Sequence, residues 1–180
     1  MNLREATAIK HKLAERMPFN LIMFDGKLTQ LQYLEYLKSQ HKIFEKIESI
    51  ILLPNEFLRS GKIYQDIVEM NLAYYNGNNQ NNIIDQETKI ADSYCNYLST
   101  LDEETIWPHV YLNYLALLFG GQMMKSKIPG SGKMYDFENS QEVIKIIRER
   151  QKDEWADEVN KGYDFIIDIF EKLHKKTINV

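Results

Sequence analysis

The stretch WPHVYLNYLALLFGGQMMK, Trp107 to Lys125, decides how the rest of the chain is read. Its apolar residues Val110, Tyr111, Tyr114, Leu117, Leu118 and Met124 recur at the three-and-four spacing of a helix that buries one face. Inside that pattern stand two adjacent glycines, Gly120 and Gly121. Each disfavours a helix interior by about 1 kcal/mol relative to alanine. A backbone without side chains compensates for that loss where the helix kinks or where another body approaches it closely.

Outward from this stretch, every patterned segment is helical. Toward the C-terminus, KIPGSGK is a loop, and residues 140–173 read as helix with a break near Gln151 to Asp153. The inner face of that last pattern carries Val143, Ile147, Trp155, Val159, Tyr163, Ile166 and Phe170. Toward the N-terminus, the glycine-bearing helix is expected to start at Asp102 or Thr105, preceded by a helix over 85–100 with Ile90, Tyr94, Tyr97, Leu98 and Leu101 apolar. The run NGNNQNN, from Asn76, is a polar surface loop between that helix and a weaker one over 56–75. A long helix from a Thr29 cap to about Leu53 carries Leu34, Leu37, His41, Phe44 and Ile51 along its buried face. The first helix covers residues 2–17, with Asn2 and Glu5 in capping-box positions and Pro18 at its end. No segment shows a strand pattern and no repeat recurs at a fixed period. The expectation is one all-α domain over residues 1–180, a multi-helix bundle large enough for a single core.

Composition narrows the function classes. With 44% apolar and 27% charged residues, the chain has the make-up of an ordinary soluble protein, and a formal net charge of -4 argues against nucleic-acid binding. No apolar run approaches the 18 or so residues that cross a bilayer, and MNLREATAIKHK lacks the apolar centre of a signal peptide. No membrane association and a cytoplasmic location are therefore expected. The single cysteine, Cys95, stands near Tyr94 and Tyr97 and reads as packing.

Standard motifs are missing. GxGxxG, a Walker loop, HExxH and a CxxC pair are all absent, and one ExxH, Glu171 to His174, falls short of the two pairs and extra glutamates of a di-iron bundle. What remains is His11, which has Thr7 and Glu15 one turn to either side. The Glu15 carboxylate is placed to accept an imidazole N–H, an arrangement that suits a metal-ligating histidine. The alternative is a half-exposed helix histidine between two lysines. His41 likewise divides between a hydrogen-bonded core residue and a ligand. A flat cofactor fits between two helices if one supplies an axial nitrogen and the other exposes its backbone at glycine. Heme has that geometry, and Arg4, Lys145 and Arg148 are cations available for its propionates.

These residues carry a resemblance. LREATAIKHKLAE, residues 3–15, resembles the proximal helix of heme oxygenases, and HVYLNYLALLFGGQMMK, residues 109–125, resembles their distal helix. Weaker similarity runs through DGKLTQLQYLEYLKSQHKIFEKIE, VIKIIRERQ and IIDIFEKL. The resemblance implies that His11 is the axial ligand of heme b and Glu15 its hydrogen-bond acceptor. It also implies that Gly120 and Gly121 let the distal helix bend over the heme, and that Arg4, Tyr111 and Arg148 contact propionates, with Lys145 adjacent to such a position. The implied activity is oxidative opening of heme by dioxygen, with electrons from a donor such as a ferredoxin or a reductase, to give biliverdin, carbon monoxide and iron. The absence of an apolar C-terminal tail is similar to the soluble members.

The chain also departs from the family pattern. Where members typically read YLGDLSGGQ, this sequence reads YLALLFGGQ, with Ala116 at the first glycine and Leu117 at the aspartate. Asn113 stands at a typical arginine and His41 at a typical tyrosine of the distal polar network. Two outcomes follow from the resemblance: a heme-degrading enzyme in which His41 and Asn113 rebuild the network, or a heme carrier or sensor without turnover. Bis-histidine coordination through His41 and a different ligand in the same architecture complete the alternatives.

Overall fold

The computed structural model describes residues 1–75 and 88–178. The asparagine run and the expected helix start at Asp85 lie outside the described residues. Among the described residues there is no strand.

Helix α1 spans Leu3–Glu15, capped as expected by the reciprocal Asn2 and Glu5 bonds. It ends two residues earlier than Pro18 requires, because Pro18 does not terminate α1 but opens a second helix, α2, Pro18–Phe24. Proline fits the first turn of a helix, where its missing N–H has no partner to lose. Helix α3, Gln30–Ile50, starts from a full capping box of Thr29 and Gln32 and stops where Ile51 turns extended. Helix α4, Ser60–Tyr75, begins four residues later than the sequence pattern suggests. The reason lies on α3: the Glu48 carboxylate accepts from the backbone N–H of Arg59 (2.6 Å) and Ser60 (3.1 Å), and from the Ser60 hydroxyl. A cap from another helix leaves no local signal.

Helix α5 is Asp92–Leu98, shorter than the expected 85–100. Cys95 is buried there, and that burial pushes its thiol up to about 11, so it stays protonated packing. Helix α6, Trp107–Leu118, starts later than Asp102 or Thr105 because Asp102 instead closes a turn, accepting from the N–H of Glu104 (3.0 Å) and Thr105 (2.9 Å). The glycine-bearing helix does break: Phe119, still right-handed, is distorted from ideal helix at φ -106 and ψ -70, and Gly120–Met124 form a separate short helix, α7. A 3-10 turn at Lys133–Tyr135 follows, then α8, Ser140–Arg150, and α9, Ala156–Ile178, separated by a 3-10 turn at Asp153–Trp155 where the break was expected.

The packing brings both ends of the chain together. Helix α9 lies against α1, α2 and α6, and α6 also contacts α8. Lys10 pairs with Asp164, the Asn160 amide donates to the Ala6 carbonyl (3.2 Å), and the Leu3 N–H donates to Asp153 (2.8 Å), so α1 is held along α9 and its preceding turn. Where α1, α6 and α9 converge, Leu3, Leu112 and Val159 form a small apolar cluster beside the main core. At that crossing, a Cβ on Gly162 would sit 2.5 Å from Leu112 Cδ2, so glycine sets how closely α9 approaches α6.

Candidate functional site

Between α1 and the α6–α7 break lies a cavity of about 960 Å³, at the upper end of the size of small-molecule sites. One wall is α1, contributing Arg4, His11 and Glu15; the facing wall is α6 and α7, contributing Asn113, Leu117, Gly120 and Gly121.

On the α1 wall, His11 Nε2 stands 3.4 Å from Glu15 Oε1, with the two side chains 54% and 52% exposed. The His11 ring meets Tyr163 of α9 edge-on at 5.9 Å. Only one imidazole nitrogen faces the carboxylate, which leaves the other as a donor atom; a half-turn of the ring exchanges the two. Arg4 and Arg148 are exposed and line the same cavity, placing two guanidinium groups at its mouth. Arg148 donates to Gln151 (2.6 Å) and its guanidinium lies 5.9 Å from the Tyr111 ring.

On the opposite wall the two glycines differ. A Cβ on Gly121 would fall 2.5 Å from Cδ1 and 2.7 Å from Cε1 of Tyr135, so this position is bare because an aromatic ring presses on it from behind. A Cβ on Gly120 would meet nothing within 4 Å, and Gly120 lines the cavity. One glycine answers to internal packing and the other faces open space. Leu117 is buried in the wall, an aliphatic side chain where a polar one would alter the cavity's chemistry.

Two residues singled out from sequence are not in the lining. His41 packs against Tyr64 at 5.9 Å, while its neighbour Gln40 lines the cavity, because one step along a helix turns a side chain about 100°. His41 therefore stands outside the cavity lining, on the flank of α3 that meets Tyr64. Lys145, exposed one helical turn before Arg148 on α8, is not in the lining and pairs with Glu142 at 3.8 Å.

Sequence reasoning overlooked a buried polar chain behind the α6 wall. His109 is fully buried; its Nδ1 is 2.8 Å from Tyr94 Oη and its Nε2 is 3.0 Å from Glu158 Oε1. Asn113 donates from Nδ2 to Tyr94 Oη (2.9 Å) and to the His109 carbonyl (2.8 Å), and the Tyr97 hydroxyl donates to Glu158. Burial lowers the His109 pKa against the pull of Glu158, and burial pushes the Glu158 carboxyl up until its bonds from Tyr97 and His109 outweigh it and bring it below the ordinary value. The four-residue spacing of His109 and Asn113 was the available clue.

No group of three or more His, Cys, Asp or Glu side chains among the described residues could hold a bare metal ion, and Glu171 pairs with Lys175 at 2.7 Å. A di-iron centre thus has no donor set there. A ligand held by one histidine, two guanidinium groups and an open backbone suits the cavity better.

Fold and cavity together define an all-helical bundle whose ligand site lies between its first helix and a broken helix later in the chain. A family model described as heme oxygenase matches residues 1–164. The chain belongs to the heme oxygenase family. It is 27% identical over 154 residues to the heme oxygenase of Porphyra purpurea, covering 76% of this chain and 64% of that protein, so it spans somewhat under two thirds of that relative's length. Among solved structures, heme oxygenase-1 of the cyanobacterium Synechocystis in complex with heme superposes at a TM-score of 0.79 with 20% identity, over 98% of this chain and 92% of that one. The heme oxygenase of Leptospira interrogans gives 0.74 with 21% identity, over 96% and 100%. These likenesses establish a shared fold.

Proposed function

We propose that this chain binds heme b in the cavity between α1 and the α6–α7 break and opens it oxidatively to biliverdin, carbon monoxide and iron. The observation that carries this reading is the opposition of His11, backed by Glu15, to a glycine wall that is open at Gly120. His11 gives a nitrogen to the iron while Glu15 accepts from the other ring nitrogen and fixes the imidazole's orientation. Arg4 and Arg148, with Tyr111 beside Arg148, hold the two propionates at the mouth and so set the rotation of the ring in its pocket. Gly120 leaves backbone against the porphyrin face, and Leu117 with its aliphatic neighbours keeps bulk water from that side. Bound heme supplies the iron at which dioxygen is activated and the carbon that is attacked. Electrons come from an external donor such as a ferredoxin or a reductase. None of the described helices is long and apolar enough to cross a membrane.

A second reading, a heme carrier or sensor, is favoured by one observation: the wall presents a buried aliphatic side chain, Leu117, at the position where the sequence resemblance implies an acid. Hemin, oxygen and a reductant added to the purified protein distinguish the two. Conversion of the Soret band into a bilin spectrum supports the enzyme, and intact heme after many equivalents of reductant rejects it in favour of the carrier.

A further inference from the structure

The polar chain behind α6 has a direction that chemistry fixes from both ends. At the cavity end, the His109 carbonyl can only accept, so the Asn113 atom 2.8 Å away must be its NH2 nitrogen. That same nitrogen lies 2.9 Å from Tyr94 Oη, which therefore accepts from it. With His109 neutral, the form that its full burial favours, the Tyr94 hydroxyl donates to His109 Nδ1, the unprotonated nitrogen. Nε2 carries the imidazole hydrogen and donates it to Glu158. Starting instead from the carboxylate, an acceptor only, the same assignment follows in reverse. Every donor in the chain points from the cavity toward Glu158, whose side chain is 29% exposed at the surface of α9.

Asn113 lines the cavity, and it is the one amide on an α6 wall of aliphatic and aromatic side chains. Its N–H groups are committed to Tyr94 and to the backbone. The atom these bonds leave over is the amide oxygen. Building on the heme reading above, we infer that Glu158, His109 and Tyr94 are positioning residues that lock Asn113 as a hydrogen-bond acceptor toward whatever occupies the distal side of the heme. The wall that is aliphatic at Leu117 holds a neutral acceptor a single turn earlier. Unlike a carboxylate, an amide held this way presents an acceptor without a charge, and its orientation is dictated from the protein surface some three side chains away.

The carbonyl complex of the reduced, hemin-loaded protein reports this directly. A lone pair facing bound carbon monoxide raises its stretching frequency, whereas an N–H donor lowers it. In Tyr94→Phe the amide keeps only its bond to the His109 carbonyl, and the N–H that Tyr94 held is free to face the cavity, so the C–O stretch should fall; Asn113→Leu, which deletes the oxygen, should lower it as well. Glu158→Ala should shift it in the same direction, and Glu158→Gln, whose amide oxygen can still accept from His109, should restore the wild-type value. Because Glu158 is partly exposed, its variants keep the test open if Tyr94→Phe does not fold. An unchanged stretch in Tyr94→Phe or Glu158→Ala with intact heme binding overturns the inference and leaves the heme reading standing. Failure of the wild type to bind hemin stoichiometrically overturns both.

Discussion

Two histidine–glutamate pairs sit on either side of the cavity, and they are built for opposite purposes. His11 and Glu15 are four residues apart on one helix, half-exposed and 3.4 Å apart, with one ring nitrogen left over. His109 and Glu158 come from helices 49 residues apart in sequence, meet at 3.0 Å with the imidazole fully buried, and use both ring nitrogens. A histidine with a spare nitrogen at a cavity is a ligand in waiting, and one with both nitrogens engaged is a structural and orienting element. Residue type alone does not separate them. What separates them is how many of their hydrogen-bonding atoms the fold has already used.

The strongest way to break this division of labour is to exchange the losses. His11→Ala should abolish the sharp Soret band at stoichiometric hemin and weaken binding more than about 100-fold, since Glu15→Ala, which removes only the orienting partner, should weaken it about 10–100-fold. Hemin titration checks both, and the circular dichroism of the apoprotein should be unchanged in either variant. The reverse is expected at the second pair. His109→Ala strands Tyr94 and Glu158 and should destabilise the apoprotein by about 2–4 kcal/mol, seen in urea unfolding.

That second pair also carries a pH signature. The ordinary histidine value is 6.5 and folded His109 lies below it, so between the two the unfolded chain binds the extra proton and stability falls as pH drops through that window. Glu158, folded below its ordinary 4.5, adds a further loss at lower pH. His109→Gln should flatten the upper part of the slope. The smallest effect belongs to the glycines. Gly121→Ala pushes a Cβ into the Tyr135 ring and should lower stability by about 1–3 kcal/mol. Gly120→Ala has open space and should stay within about 0.5 kcal/mol of wild type while weakening hemin binding, a separation readable by melting temperature and titration.

The helical class, the caps at Asn2 and Thr29, the break near Gln151 and the opposition of His11 to the glycines were all legible because each is written within about one helical turn. What escaped was written across the chain. The start of α4 is set by Glu48 on α3, and the closeness of α6 and α9 by Gly162, whose reason is a leucine 50 positions away. The polar chain joins residues of α5, α6 and α9, and only its His109–Asn113 step is written in local spacing. His41 was misplaced for a different reason: on a long helix buried on several sides, an apolar stripe does not say which of its flanks meets the cavity.

The turn that holds Tyr135 has a mechanical consequence. Asp66 on α4 accepts from the backbone N–H of Lys133 and Met134, each at 2.8 Å, and Gln122 donates to the Tyr135 carbonyl at 2.7 Å. The ring pressed on Gly121 is thereby anchored to α4, and α7 is moored at its far side. At the joint itself, the Phe119 N–H donates to the Leu115 carbonyl (3.0 Å) while its side chain stands half in solvent. The far side of the distal wall is therefore tied to α4 through this turn, so a substitution at Asp66 reaches Gly121 by way of the Tyr135 ring.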